Sequence, residues 1–224
     1  MQKIDKNYDT ILSTKYKKWV NNLENKDKKH PNSRTYYDDI VMELYRCQKG
    51  VCAYTERFIC PSSLYKSDNW IDGDYNIRDE VEFIRTDHAG ELEHFDHHLK
   101  KNKYWLWDNL FMIDSTINSR KSDRDIVYYL KPDSEDYSPE KYFDYDEETH
   151  RFIPNTDLSI EQITEIKYMI DNVFYLNHGV ILNDRRDFIN ELRAKINNKS
   201  TYKFDRFFTA TKMCLENTLP EKLF

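Results

Sequence analysis

A set of polar residues near the middle of the chain constrains its fold more strongly than any other feature. Glu93-His94 is followed by Asn109 and then by the segment Asn118-Ser119-Arg120-Lys121, so the histidine precedes one asparagine by fifteen residues and the next asparagine comes nine residues later. For these side chains to meet, the chain must reverse between positions 94 and 109 and then supply a third element.

The residues around these positions favour two strands and a helix. Residues 91–95 alternate as a short strand, residues 105–111 read as the strand that returns, and residues 118–129 read as the helix. The sequence therefore predicts a ββα unit in the middle of the chain.

The rest of the chain predicts an α+β fold that is mainly helical, with the ββα unit embedded among N- and C-terminal helices. We expect a single domain over residues 1–224. Within it we expect N-terminal helices in 1–50, a core in 51–131 with a long loop at 61–90, and a C-terminal helical region in 132–224.

Local signals specify several further elements. They are a helix within 8–30, a helix starting at Thr35 and ending at Gly50, a short strand near Val81–Ile84, a hairpin that joins Tyr142–Asp146 to Arg151–Ile153, a capping box at Ser159-x-x-Gln162, and helices with apolar stripes from Ile160 to Val173, from Ile181 to Ile196 and from Phe204 to Leu219.

Composition restricts the class of protein. No apolar run of about 18 residues exists, so no transmembrane helix is expected. The N-terminus lacks the apolar core of a signal peptide, and the four cysteines form no Cys-x-x-Cys, which together favour the cytoplasm and ordinary buried thiols. A net charge of −6 argues against a protein that coats nucleic acid by bulk electrostatics.

The central residues have the chemistry of a metal-dependent phosphodiesterase, which must deprotonate water and neutralise charge on a departing 3′ oxygen. His94 is the candidate general base. Glu93 and the amide oxygen of Asn118 are hard ligands that suit Mg²⁺ or Mn²⁺. Asn109 is placed to brace the loop that presents His94 through side-chain to backbone hydrogen bonds. Because successive strand residues face opposite ways, Glu93 and His94 can reach one centre only with a twist or bulge.

Basic and imidazole groups nearby are candidates for contact with the nucleic-acid backbone. They are Arg120, Lys121 and Arg124 on the predicted helix, together with His97, His98, Lys100 and Lys101 in the turn. Taken singly, each has an ordinary explanation. An exposed histidine is usually only a surface residue, Asn109 can simply cap a turn, and Arg120-Lys121 can be a solvated helix face.

With these residues in view, the chain resembles the HNH (ββα-metal) endonuclease family, and within it the HNH subunit of bacterial anti-phage Septu systems (PtuB-like) and related retron-associated HNH proteins. The segments that carry the resemblance are Met1-x-x-Ile4-x-Lys6, Gln48-Lys49-Gly50-Val51-Cys52-Ala53-Tyr54-Thr55-Glu56, Glu91-Leu92-Glu93-His94-Phe95, Asp108-Asn109-Leu110-Phe111, Asn118-Ser119-Arg120-Lys121, and Tyr175-Leu176-Asn177 with Leu182 and Arg185.

The resemblance implies that His94 is the general base, that Glu93 and Asn118 bind the metal, and that Asn109 positions the loop. It also implies a DNA substrate and a partner, a Septu-type ATPase (PtuA-like), that recruits or licenses the nuclease.

One departure from the family concerns zinc. Many relatives hold a structural zinc with two Cys-x-x-Cys pairs, whereas here the pairs read Cys52-Ala53-Tyr54-Thr55 and Asp114-Ser115-Thr116-Ile117. Structural zinc sites need four ligands, so we expect no structural zinc. We expect packing of Tyr54, Phe58, Phe111 and Ile117 in its place.

Two other functions remain open on the sequence. Residues 133–165 carry two basic and eleven acidic side chains, which suits a non-catalytic adaptor that binds a basic partner as well as it suits solvated surface. The same site chemistry can also attack RNA, so an RNase or tRNA-cleaving effector is the other alternative.

Overall fold

In this computed structural model, which describes residues 1–76 and 87–215, the chain forms two compact units. The N-terminal unit consists of Ile4–Cys52 and Phe58–Asn118, and the C-terminal unit consists of Met1–Lys3, Ala53–Arg57 and Ser119–Phe224. A single domain over 1–224 stays a prediction. The fold is α+β, because the described residues form seven α-helices and three two-stranded antiparallel sheets. Among these helices none is long and apolar enough to cross a membrane.

The N-terminal unit is built around a hairpin and one buried helix. Its helices are α1 (Thr14–Glu24) and α2 (Tyr37–Gln48), and its strands are β1 (Trp70–Ile71), β2 (Asp74–Tyr75), β3 (Gly90–His94) and β4 (Leu110–Asp114). Strand β1 pairs with β2, and β3 pairs with β4. Helix α3 (Ser115–Lys121) follows β4 without a loop.

Helix α2 packs against β4 and completes its hydrogen bonding. The buried amide of Gln48, at the end of α2, donates to the carbonyl of Met112 at 2.8 Å and accepts from its N–H at 2.9 Å. This side chain therefore behaves like a further strand residue, and it ties the helix to the middle of β4.

The end of α2 requires glycine. Gly50 has φ of +75°, and a Cβ there would lie 2.3 Å from the carbonyl oxygen of Cys60. Its N–H donates to the carbonyl of Tyr45 at 2.9 Å and so closes the last turn of the helix. The sequence-based prediction that Gly50 ends this helix is confirmed.

The C-terminal unit combines a second hairpin with four helices. These elements are α4 (Pro139–Tyr142), β5 (Phe143–Asp146), β6 (Arg151–Pro154), α5 (Ile160–Tyr168) continued by a π-helical turn (Met169–Val173), α6 (Gly179–Asn197) and α7 (Phe208–Leu215). Arg185 of α6 is fully buried and donates to the carbonyls of Leu176 at 2.8 Å and His150 at 2.6 Å. It thereby joins α6 to the turn before it and to the β5–β6 hairpin.

Several predicted elements are confirmed. The β5–β6 hairpin forms where it was expected, with Asp146 paired to Arg151 across the turn. Ser159 and Gln162 make both bonds of the capping box at the start of α5. Helix α6 buries Ile181, Phe188 and Leu192, as its apolar stripe predicts.

Other predicted elements are corrected. The return strand begins at Leu110 rather than near position 105, because 107–109 form a 3-10 turn. Helix α2 begins at Tyr37 rather than at Thr35, and the Thr35 hydroxyl donates to the Ser33 hydroxyl. Ile160 is 83% exposed and does not belong to the buried stripe of α5. The last helix begins at Phe208.

The loop predicted at 61–90 contains more order than expected in its described part, since β1 and β2 form a small hairpin there. The predicted strand near Val81–Ile84, and the predicted helix beyond Leu215, lie outside the described residues.

Candidate functional site

The β3–β4 hairpin carries the residues that the sequence singled out. Its pairing runs from Gly90 opposite Asp114 to His94 opposite Leu110, one residue at a time. No bulge interrupts this register, so Glu93 and His94 leave opposite faces of β3. The hairpin does not bring these two side chains together along the paired strand, and any convergence depends on twist at its end, where His94 is the last paired residue.

The side chain of Asn109 braces the segment that follows His94. Its Oδ1 accepts from the N–H of Asp96 at 2.8 Å, and its Nδ2 donates to the carbonyl of the same residue at 2.9 Å. Asn109 is 3% exposed, so water does not compete at the amide. This contact is the bracing that the sequence predicted for Asn109.

His94 is held by the backbone of the turn between the strands. Its Nε2 lies 2.9 Å from the carbonyl oxygen of Tyr104, and its ring meets the Tyr104 ring edge-on at 4.5 Å between centroids. A carbonyl only accepts hydrogen bonds, so Nε2 carries the hydrogen and Nδ1 carries the lone pair when the ring is neutral. In the neutral ring of His94 the basic nitrogen is therefore Nδ1.

Asn118 contacts a carboxylate other than the predicted one. Its Nδ2 donates to Oε2 of Glu91 at 2.8 Å. Glu91 and Glu93 are two residues apart on β3 and therefore share a face of the strand. Sequence reasoning missed Glu91, although its spacing of two from Glu93 was a signal that both carboxylates face the same way.

Lys6 fixes the stretch on both sides of Asn109. Its Nζ is buried and donates to the carbonyls of Trp107 at 2.7 Å and Leu110 at 2.8 Å. The same ammonium lies 4.1 Å from the centre of the Phe111 ring. Lys6 and Asn109 thus both hold the turn through hydrogen bonds to its backbone groups.

The 3-10 turn His97–Lys101 presents the basic groups of the loop. His98, Lys100 and Lys101 are exposed. The ring centroids of His97 and His98 lie 3.9 Å apart, with the ring planes tilted by 38°. Asp96 caps this turn by accepting from the N–H of His98 at 2.8 Å, so the brace made by Asn109 and the start of the turn meet at the same residue.

The helix that follows β4 is shorter than predicted. It ends at Lys121, because Ser122 adopts a left-handed conformation with φ of +54°. Arg124 lies beyond the helix, and its guanidinium donates back to the carbonyls of Arg120 and Lys121. Arg120 is exposed and its guanidinium lies 5.7 Å from the Tyr175 ring.

The predicted role of Lys121 in backbone contact requires correction. Its side chain is fully buried, which removes it from any surface that meets DNA. The remaining candidates at the end of α3 are the exposed Arg120 and Arg124.

The four positions at which the resemblance would place zinc ligands are buried. Cys52 is buried, Thr55 and Asp114 are buried polar residues, and Ile117 is 2% exposed. Phe58, which was also expected to pack there, is 42% exposed.

The aromatic residues expected to replace the zinc pack within their own units. Tyr54 packs on Phe174 with ring centroids 4.8 Å apart, and Phe111 packs edge-on with Phe95 at 6.2 Å. Each contact is an ordinary part of an apolar core.

No protein-family model matches this chain, and no curated protein is significantly similar to it. Its function is therefore inferred from the residues of the hairpin and their geometry.

Proposed function

We propose that the protein is a metal-dependent HNH endonuclease that hydrolyses DNA phosphodiester bonds with a ββα-metal site. The observation that supports this most directly is the double hydrogen bond from Asn109 to the backbone of Asp96. It joins the start of the returning strand to the residue two places after His94. A surface asparagine or a simple turn cap has no reason to be buried and bonded in this way.

His94 acts as the general base in this proposal. The Tyr104 carbonyl holds the Nε2–H, so Nδ1 takes the proton from the attacking water. Because the ring is 4% exposed and packs against Tyr104, it keeps one orientation without help from substrate. Pre-set orientation of this kind lowers the entropic cost of the reaction.

The oxygen groups near the end of the hairpin have the chemistry to hold a divalent cation. Glu93 and the Oδ1 of Asn118 would be its ligands, and Glu91 shares the strand face with Glu93. The bond between Asn118 and Glu91 uses the amide nitrogen, which leaves the amide oxygen as the donor that suits Mg²⁺ or Mn²⁺. Such a cation, when bound, supplies positive charge that neutralises the departing 3′ oxygen.

Substrate contact falls to a small number of basic groups. Arg120 and Arg124 are exposed at the end of α3, and Lys100 and Lys101 are exposed on the turn after β3. With a net charge of −6, the chain alone should bind DNA weakly at physiological salt. We propose that a Septu-type ATPase supplies the remaining affinity and licenses cleavage.

Plasmid cleavage with Mg²⁺ or Mn²⁺ tests this function, with and without a Septu-type ATPase from the same gene neighbourhood. His94→Ala should lower the cleavage rate by about 10²- to 10⁴-fold, the usual contribution of a general base. His178→Ala is the matched control, because this histidine lies at the start of α6 rather than in the hairpin. It should cleave like the wild type.

Calorimetric titration with Mn²⁺ tests the cation site separately from catalysis. Glu93→Gln and Asn118→Ala should each weaken binding by at least about tenfold, the scale seen even for groups that only support metal ligands. Asn172→Ala, on an exposed position, should bind Mn²⁺ like the wild type. Equal cleavage by wild type and His94→Ala, or equal Mn²⁺ binding by all variants, would sink the proposal. Cleavage of RNA alone would redirect it to the RNase alternative.

A further inference from the structure

A single peptide group between β3 and β4 is held by two histidines. The carbonyl of Tyr104 accepts from Nε2 of His94 at 2.9 Å. The N–H of Trp105, which belongs to the same peptide group, donates to Nδ1 of His30 at 2.9 Å. A peptide group is planar and nearly rigid, so the orientation that His30 imposes on the N–H is passed directly to the carbonyl that His94 contacts.

For neutral imidazole rings, the hydrogen positions along this chain of contacts have one solution. A backbone N–H only donates, so Nδ1 of His30 must carry the lone pair and its Nε2 must carry the hydrogen. That hydrogen is donated to Oε1 of Glu24, 2.5 Å away. A backbone carbonyl only accepts, so Nε2 of His94 carries the hydrogen. Both rings are thereby fixed in the same tautomer, which leaves Nδ1 of His94 as its basic nitrogen.

The far end of the chain of contacts is anchored. The Nζ of Lys103 lies 3.0 and 3.1 Å from the two carboxylate oxygens of Glu24. Partial burial opposes ionisation of Glu24, but the hydrogen bonds from Lys103 and His30 outweigh it and lower the pKa of this carboxyl. Glu24 therefore stays an acceptor for His30 at neutral pH.

His30 itself has little freedom to move. It is 2% exposed, and its own N–H donates to the carbonyl of Asn102 at 2.8 Å. The indole N–H of Trp105 donates to the carbonyl of Pro31 at 2.8 Å. One backbone–backbone bond and two bonds that involve ring nitrogens thus lock residues 30–31 to residues 102–105, far away in sequence.

We propose that His30, oriented by Glu24, is a positioning residue that sets the tautomer and ring orientation of His94 through the Tyr104–Trp105 peptide. His94 as the base rests on the proposed function, whereas the hydrogen-bonded chain from Glu24 to His94 does not. The alternative is that His30 only staples the loop to the rest of the unit, with no effect on which nitrogen of His94 carries the hydrogen.

Nitrogen-15 NMR of the histidine rings in the metal-free full chain distinguishes the positioning role of His30 from a purely structural role. In spectra recorded at about pH 8, where neutral imidazole predominates in general, wild-type His94 should show a protonated Nε2 and an unprotonated Nδ1. His30→Phe removes the acceptor for the Trp105 N–H, so His94 should become a mixture of tautomers. His30→Gln, whose amide can accept from Trp105 and donate to Glu24, should restore the wild-type signals.

Tyr16→Phe is the matched control. The Tyr16 hydroxyl donates to the carbonyl of Trp105 at 2.7 Å, so its removal loosens the same segment while leaving both partners of the Tyr104–Trp105 peptide. The His94 signals should stay unchanged in Tyr16→Phe. Unchanged signals in folded His30→Phe, or an equal change in Tyr16→Phe, would overturn the proposal.

A second variant covers the case in which His30→Phe does not fold. Glu24 has a side chain that is 34% exposed, so Glu24→Ala should be tolerated, and it should shift the His94 signals in the same direction by a smaller amount. A folded Glu24→Ala with wild-type His94 signals overturns the proposal.

Cleavage assays add an independent arm. His30→Phe should lower kcat by about 10- to 100-fold, as loss of supporting partners does elsewhere, with KM for plasmid unchanged and with rescue by His30→Gln. If wild type cleaves nothing, the proposed function fails while the NMR result still decides the role of His30. If wild type cleaves and His30→Phe has the wild-type kcat, the positioning role fails alone.

Discussion

Replacement of Asn109 by alanine should destabilise the protein more than any surface asparagine substitution. The variant removes the acceptor of the Asp96 N–H and the donor to the Asp96 carbonyl, at 2.8 and 2.9 Å in the wild type. Neither backbone group has another protein partner described here, and Asn109 is 3% exposed, so water cannot easily replace the lost amide.

The size of the effect follows from the two bonds. Leaving a buried polar group unsatisfied costs about 1–3 kcal/mol. Asp96 is half-buried, so part of each cost is recovered by solvent on its open side. We therefore expect the free energy of unfolding to fall by about 2–3 kcal/mol for Asn109→Ala.

Urea denaturation measured against Asn172→Ala checks this value, because Asn172 is exposed and its substitution should change stability by less than about 0.5 kcal/mol. Asn109→Asp adds a pH test. Its new carboxylate keeps an acceptor for the Asp96 N–H but sets a second oxygen against a carbonyl. The loss of stability of Asn109→Asp relative to the wild type should become smaller toward acid pH, where a protonated carboxyl can donate to the Asp96 carbonyl. A loss below about 0.5 kcal/mol for Asn109→Ala would refute the bracing role.

Two further predictions concern stability elsewhere in the N-terminal unit. Burial lowers the pKa of His88 below its ordinary value of 6.5. Because the unfolded chain then binds the proton more readily, the free energy of unfolding should fall as the pH drops through about 6.5. Urea midpoints of the wild type and His88→Gln, compared at about pH 7.5 and 5.5, should change less with pH in the variant. Lys6→Met should lower the free energy of unfolding by about 2–3 kcal/mol, because two buried carbonyls lose an ammonium donor. A variant that melts at the wild-type temperature would contradict the proposed hold of Lys6 on the turn.

The elements that the sequence predicted correctly are those with a complete local signal. The capping box at Ser159 and Gln162 satisfies both of its backbone donors within three residues. Strand β3 and the β5–β6 hairpin are specified by alternation and a polar turn. In each case the information lies within a few residues of the element that it forms.

The elements that were mispredicted depended on conformations that periodicity does not encode. Helix α3 ends at Lys121 because Ser122 takes a positive φ and the Arg124 guanidinium caps the exposed carbonyls. The four residues that follow, Ser122-Asp123-Arg124-Asp125, are all polar, so the next turn would have had no apolar side chain to pack onto a core.

The candidate site shows the same difference between local signals, which the sequence reveals, and distant contacts, which it does not. The types and order of Glu93, His94, Asn109 and Asn118 were readable in sequence, and so was the bracing contact of Asn109, which spans only thirteen residues. The contacts of Lys6 with positions 101 and 104 residues away left no local trace. Nothing in the pattern around His30 points to a contact 75 residues away.

These distant contacts explain how a turn with little regular structure can hold the His94 ring in one orientation. Residues 95–109 contain only 3-10 turns between β3 and β4, so strand pairing cannot fix the peptide that faces His94. His30, from outside the hairpin, accepts from the N–H of this peptide instead, and Lys6 holds the end of the same turn by donating to the carbonyl of Trp107. A buried ammonium or imidazole is costly to leave without a hydrogen-bond partner. Lys6 and His30 therefore both favour the arrangement of the turn in which their partners are in place. The orientation of His94 is thus tied to the stability of the whole N-terminal unit.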